Sequence, residues 1–113
     1  MIAGYHAHVY FDADTRASAE KLRQEIQREL AGRVQVHGLI DDPIGPHPKR
    51  MFEVDVPAGN IESVFSWFEA HHGKHSILVH PITGDDLADH RDFPRWIGKP
   101  LPLDLTFLER LGK

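Results

Sequence analysis

With 113 residues, 41% of them hydrophobic and 27% charged, the chain is sized for one domain spanning 1–113, and it can bury a core without cross-links. It has no cysteine, which excludes disulfides, thiolate zinc sites, iron–sulfur clusters and a cysteine nucleophile. Thirteen Lys and Arg against seventeen Asp and Glu leave a net charge of −4, without the basic surplus of a nucleic-acid binder.

Residues 4–11, GYHAHVYF, alternate. Ala7, Val9 and Phe11 fall on one side and His6, His8 and Tyr10 on the other, which predicts a half-buried strand. Asp12 or Asp14 caps a helix from Thr15 to Leu30 with Ala19, Leu22, Ile26 and Leu30 on its apolar face, and Gly32 stops it. A second strand is predicted over 33–39. The following DDPIGPHPK, 41–49, is a loop by its Pro, Gly and Asp content. Residues 50–56 form a third strand, with Phe52, Val54 and Val56 apolar and Met51, Glu53 and Asp55 facing away; Pro57 closes it. Asn60 caps a second helix, 61–72, with Ile61, Val64, Phe65 and Phe68 as its buried stripe and Trp67 beside it as a packing residue. Gly73 ends that helix, and a fourth strand follows over 75–80, with Ile77 and Val79 opposite Leu78 and His80. Residues 81–113 read as an extended, proline-punctuated tail with one short helical turn near its start and another at its end. There is no run of roughly 18 apolar residues, so no membrane span is expected. Met1–His8 lacks the basic region and long apolar run of a signal peptide, and a cytoplasmic protein is expected.

The order βαββαβ predicts an α+β, ferredoxin-like fold: a four-stranded antiparallel sheet in the order 4-1-3-2 with two helices on one face. Strand 3 is expected to run parallel to strand 1. The other face then needs a cover, either the tail or a second subunit, and a homodimer that exchanges tails is expected.

That other face concentrates the unusual residues. The chain has nine histidines, several-fold above ordinary usage. The strand order brings His6, His8, His37, His47 and His80, with Glu53, to one end of the face. His6 and His8 lie about 7 Å apart at their bases, so two imidazoles can share one metal. A third ligand from His47 or His80 makes the open three-ligand set of catalytic zinc, and Glu53 as the third makes the two-His-one-carboxylate set of non-haem iron(II). The prolines on either side of His47, in Gly45-Pro46-His47-Pro48, stiffen its direction. His71, His72 and His75 sit at a helix end and are expected at the surface. Periodicity places His90 nowhere.

Several stretches are also similar to a known family. Tyr5-His6-Ala7-His8-Val9-Tyr10-Phe11, Gly45-Pro46-His47-Pro48, Leu78-Val79-His80-Pro81 with Thr83-Gly84 and Asp89-His90, and Trp96-Ile97-Gly98-Lys99-Pro100-Leu101-Pro102-Leu103 together resemble the small DOPA 4,5-dioxygenase family over nearly the whole chain. The resemblance implies the ferredoxin-like fold and extradiol opening of a catechol-like ring by non-haem iron(II) and dioxygen, with zinc possible in iron's place. It implies functional positions at His6, His8, His47, His80 and His90. We assign His8, His47 and His80 to the metal and His6 and His90 to acid–base chemistry or alternate ligation. Tyr10 and Arg50 are candidates to orient a substrate oxygen. Two rival readings are a zinc domain built on the same histidines and a metal-free, small-molecule-binding homodimer.

Overall fold

The computed structural model describes residues 2–111. In chain order the elements are β1 (Gly4–Phe11), α1 (Arg16–Glu29), β2 (Gln35–Val36), β3 (Arg50–Pro57), α2 (Ile61–His71), β4 (Ile77–Pro81), α3 (Asp86–Arg91), β5 (Arg95–Ile97) and α4 (Leu105–Leu111). The strands form one sheet in the order β2-β3-β1-β4-β5, with every neighbouring pair antiparallel. The α+β arrangement and the order of the first four strands are as expected.

Two features differ from expectation. The sheet has five strands, not four, because Arg95–Ile97 of the supposedly extended tail pairs with β4, Ile77 opposite Ile97 and Leu78 opposite Trp96. This covers what would otherwise be the open edge of β4. Secondly, β3 runs antiparallel to β1, not parallel, with His8 opposite Glu53 and Phe11 opposite Arg50. The α1 crossover returns β2 in the direction of β1, and the β2–β3 connection reverses it. The loop entering β3 therefore arrives beside Phe11, not beside Gly4.

The alternation decides the core. Ala7, Val9 and Phe11 of β1, Phe52, Val54 and Val56 of β3, and Ile77 and Val79 of β4 pack against Ala19, Leu22 and Ile26 of α1 and Ile61, Val64 and Phe68 of α2. A short 3-10 turn, Ala13–Thr15, precedes α1, and Thr15 Oγ1 accepts the Asp12 N–H at 2.8 Å. Gly32, at φ +81°, supplies the left-handed residue after α1. Asn60 does not cap α2 with its side chain; its amide donates to the Arg33 carbonyl at 3.0 Å instead. Strand β2 is shorter than the predicted 33–39, and pairing resumes only at a single bridge between Ile40 and Met51.

His75 is buried, against the surface placement expected for it. Its Nδ1 lies 3.0 Å from the Tyr10 carbonyl and its Nε2 2.8 Å from Ser18 Oγ. A carbonyl only accepts, so Nδ1 carries the proton and Ser18 donates to Nε2. The ring thus ties α1 to the sheet. Ser18→Ala leaves a buried nitrogen unpaired, and a loss of about 1–3 kcal/mol is expected, read as a lower urea midpoint at pH 7.

On the opposite face Tyr10, Met51 and Leu78 are buried beneath Ile40, Trp96, Leu101 and Leu103. The tail therefore covers this half of the face from within the same chain. Of the expected tail, Gly112 and Lys113 lie outside the described residues. Among the described residues no helix is long and apolar enough to cross a membrane.

Candidate metal centre

The other half of the face carries the histidines, and His8, His47 and His80 are buried there. His6 and His8 project from β1, and His80 of β4 stands opposite His6. His47 arrives from the 41–49 loop by a route that strand direction alone does not supply. Its Nδ1 meets the Tyr10 hydroxyl at 2.8 Å, and the Asp104 N–H donates to the Pro46 carbonyl at 2.8 Å. The Phe107 ring also lies against Gly45, which takes φ +59°. The tail thus clamps the loop that carries His47. His90 comes from α3, whose start is capped by Asp85 accepting the Ala88 N–H at 3.0 Å. Its neighbour Asp89 is buried and takes both the backbone N–H and the hydroxyl of Thr83, which pins α3 to the end of β4.

Five imidazoles meet as a result. Ring centroids are 4.2 Å apart for His8 and His47, 5.2 Å for His8 and His80, 4.1 Å for His80 and His90, and 5.3 Å for His6 and His80. Nitrogens of His8, His47 and His90 lie within 4.8 Å of one another, as do those of His6, His8 and His80. His8 is common to both trios, whereas the other two expected ligands, His47 and His80, are the rings nearest to it but fall in different trios.

Hydrogen bonds around the rim fix how the rings present their lone pairs. His80 Nδ1 lies 2.9 Å from the Pro81 carbonyl and His90 Nδ1 2.8 Å from the Asp86 carbonyl. Both Nδ1 atoms must carry the proton, so the Nε2 atoms that face the cluster are bare when the rings are neutral. His8 Nε2 lies 3.1 Å from His80 Nε2. It bonds to a bare nitrogen only by carrying its own proton there, and that leaves its buried Nδ1 bare and without a partner. A cation on the Nε2 lone pairs removes the conflict, because the His8 proton then moves to Nδ1, 4.0 Å from Glu53 Oε1. The residues present fit a metal ion.

The electrostatics point the same way. Burial, then the neighbouring imidazoles His47 and His80, holds His8 well below the usual histidine range. Burial, then His90, lowers both His47 and His80 to about 4. Burial also lowers His6. These rings are neutral near pH 7 and keep the lone pairs a metal requires. Burial pushes the Tyr10 phenol up, so it stays a hydroxyl beside His47. Tyr10→Phe removes the group that orients His47. A 10–100-fold weaker grip on zinc is expected, by analogy with other outer-shell losses, and competition against a chelator measures it.

The other expected residues lie elsewhere. His37 stays outside the imidazole cluster, with Nε2 2.8 Å from Asp55 Oδ2. His71 stacks on Trp67 at 4.0 Å, and His72 donates to the His75 carbonyl. Arg50 is occupied by the Asp41 carbonyl. Glu53 lies with His6 and Asp55. Sequence reasoning gave no role to Asp55 or Asp89. The only local signal for the second was Thr83 six residues before it.

Comparison with known proteins supplies the context. The Dopa 4,5-dioxygenase family model matches residues 5–107. The chain is 37% identical over 114 residues to DOPA 4,5-dioxygenase of Amanita muscaria, a match covering 95% of this chain and 50% of that protein. It is 32% identical over 118 residues to an uncharacterized 21.2 kDa protein of Botryotinia fuckeliana, covering 95% of this chain and 64% of the other. The chain thus spans about half of one curated relative and under two-thirds of the other. A crystal structure of a candidate dioxygenase from Nostoc punctiforme superposes with a TM-score of 0.88 at 42% identity, covering 97% of this chain and 94% of that one.

Proposed function

The chain belongs to the Dopa 4,5-dioxygenase family, and from that premise we propose that it opens the ring of a catechol-like small molecule with dioxygen, an extradiol cleavage served by iron(II) on His8, His47 and His80. The observation that carries this reading is the inward lone pair of His80, fixed by the bond from its Nδ1 to a backbone carbonyl, against the buried His8. Bound iron(II) would supply redox chemistry and the Lewis acidity that lowers the pKa of a catechol hydroxyl. The chain's own groups do the rest. His90, with Nδ1 held by Asp86 and Nε2 bare, accepts the proton that the hydroxyl releases. Tyr10 keeps His47 in one orientation. Leu78 and Trp96 shield the covered half of the face from water. His6, expected to share the acid–base work, stands at the outer edge of the cluster, facing Asp55 and Glu53.

Protein purified without air, reloaded with iron(II) and offered DOPA or simpler catechols should consume oxygen in step with a ring-opened, yellow product. Stoichiometric iron with no uptake on any catechol would overturn the reaction, and failure to bind metal would overturn the centre.

A further inference from the structure

Beside the imidazole cluster the same face holds a second group of donors. Glu53 and Asp55 are two residues apart on β3 and project to one side, so their carboxylates are neighbours. His6 of β1 stands opposite Asp55, and His37 follows β2 with its backbone N–H still paired to the Glu53 carbonyl. His37 Nε2 lies 2.8 Å from Asp55 Oδ2 and 3.7 Å from Glu53 Oε2. His6 Nε2 lies 3.6 Å from Asp55 Oδ1, and its Nδ1 3.8 Å from Glu53 Oε1. His6, Glu53 and Asp55 each offer an atom within 4.8 Å of the other two.

Several observations show that this group lacks a partner. Among the described residues, the ion-pair partners of both carboxylates are imidazoles and never Lys or Arg. Asp55 Oδ1 is buried without a hydrogen bond. The His8 side chain, 4% exposed, turns its Nδ1 to Glu53 Oε1 at 4.0 Å, so Glu53 also accepts the proton that His8 carries there when its Nε2 holds a metal. A cation that bridges the two carboxylates satisfies both of them at once. His6, Glu53 and Asp55 sit on paired strands, which hold their spacing, and His6 and Asp55 also line a cavity of about 470 Å³.

We propose that His6, Glu53 and Asp55, completed by His37, form a second site for a divalent first-row cation, adjoining the imidazole centre along the His6 and His8 rings. Two carboxylates make it a harder site than the neighbouring all-nitrogen cluster, so it takes manganese(II) more readily. The site stands on its own donors and does not depend on the dioxygenase reading.

The test is metal counting on chelator-stripped protein. Dialysis against zinc should load about two equivalents per chain, against about one for a single site. Asp55→Asn with His37→Gln should fall to about one equivalent, and His47→Gln with His90→Gln should also keep about one. Manganese(II) should give a bound EPR signal in the parent and in the His47/His90 variant but not in Glu53→Gln, an isosteric change that preserves the test if the Asp55/His37 variant does not fold. A parent that loads a single equivalent overturns the second site, as does Glu53→Gln with undiminished manganese binding. Loss of zinc from the His47/His90 variant with no change in its manganese signal would confirm two separate sites.

Discussion

Replacing His8 by alanine is expected to remove metal binding at the imidazole centre and to cut catechol-dependent oxygen uptake by more than about 100-fold. Loss of a mere outer-shell partner costs about 10–100-fold, and His8 belongs to both trios of nearby nitrogens. The fold should survive. His8 is a neutral ring on the polar side of β1, whereas the apolar core lies on the other side with Ala7 and Val9. A retained far-UV spectrum with lost metal and lost uptake is therefore the expected combination. Metal binding undiminished from the parent's, with oxygen uptake unchanged, would show that His8 is only a packing residue.

The second large effect is on stability against acid. His47 and His80 titrate at 6.5 in the ordinary case and at about 4 in this fold, because burial disfavours their charged forms. Between those values the unfolded chain binds protons that the folded chain refuses, so each step down in pH favours unfolding. Above pH 6.5 the contribution is flat, and below about 4 its loss is complete. At about 1.4 kcal/mol per unit, each residue accounts for about 3 kcal/mol, a large share of the roughly 5–15 kcal/mol that holds a domain together. His8 shifts in the same direction. Glu53, raised by burial and by Asp55, works the other way over the range where it is protonated only in the fold, but it is one partly exposed group against three buried ones. Metal-free protein should therefore lose most of its stability between pH 6.5 and 4. Added zinc should move that loss to lower pH, because it competes with protons for the same lone pairs. Denaturant midpoints across pH 4–8, with and without zinc, measure both effects, and a flat metal-free profile would contradict the burial of these rings.

The histidine face was legible because a strand has period two. Once Ala7, Val9 and Phe11 are assigned to the core, His6, His8 and Tyr10 can only face the other way. The pairing of β4 with β1 then places His80 opposite His6. His47 was expected at the cluster through a parallel β3, yet it gets there because the tail folds its loop back, through contacts at Pro46 and Gly45 more than fifty residues away in sequence. Such non-local clamps leave no local period. The same is true of β5, whose three residues are too few to alternate visibly, and of His75, whose burial depends on Ser18 on a different helix. His90 entered only through the resemblance. Its brace, the buried Asp89, became visible only once α3 was seen to close over Thr83.

The clamp on the His47 loop has a kinetic side. His6, His8 and His80 are set in the sheet, but His47 is held by residues 104–107 and His90 by a six-residue helix. Elements that short rest on few buried groups and open at a lower free-energy cost than central strands. Peeling away the last segment would unlatch the loop of His47 while the sheet stays whole. Metal exchange should then follow the opening rate of the tail rather than the unfolding rate of the protein, and a protease that nicks near residue 100 would release the ion before it releases the fold.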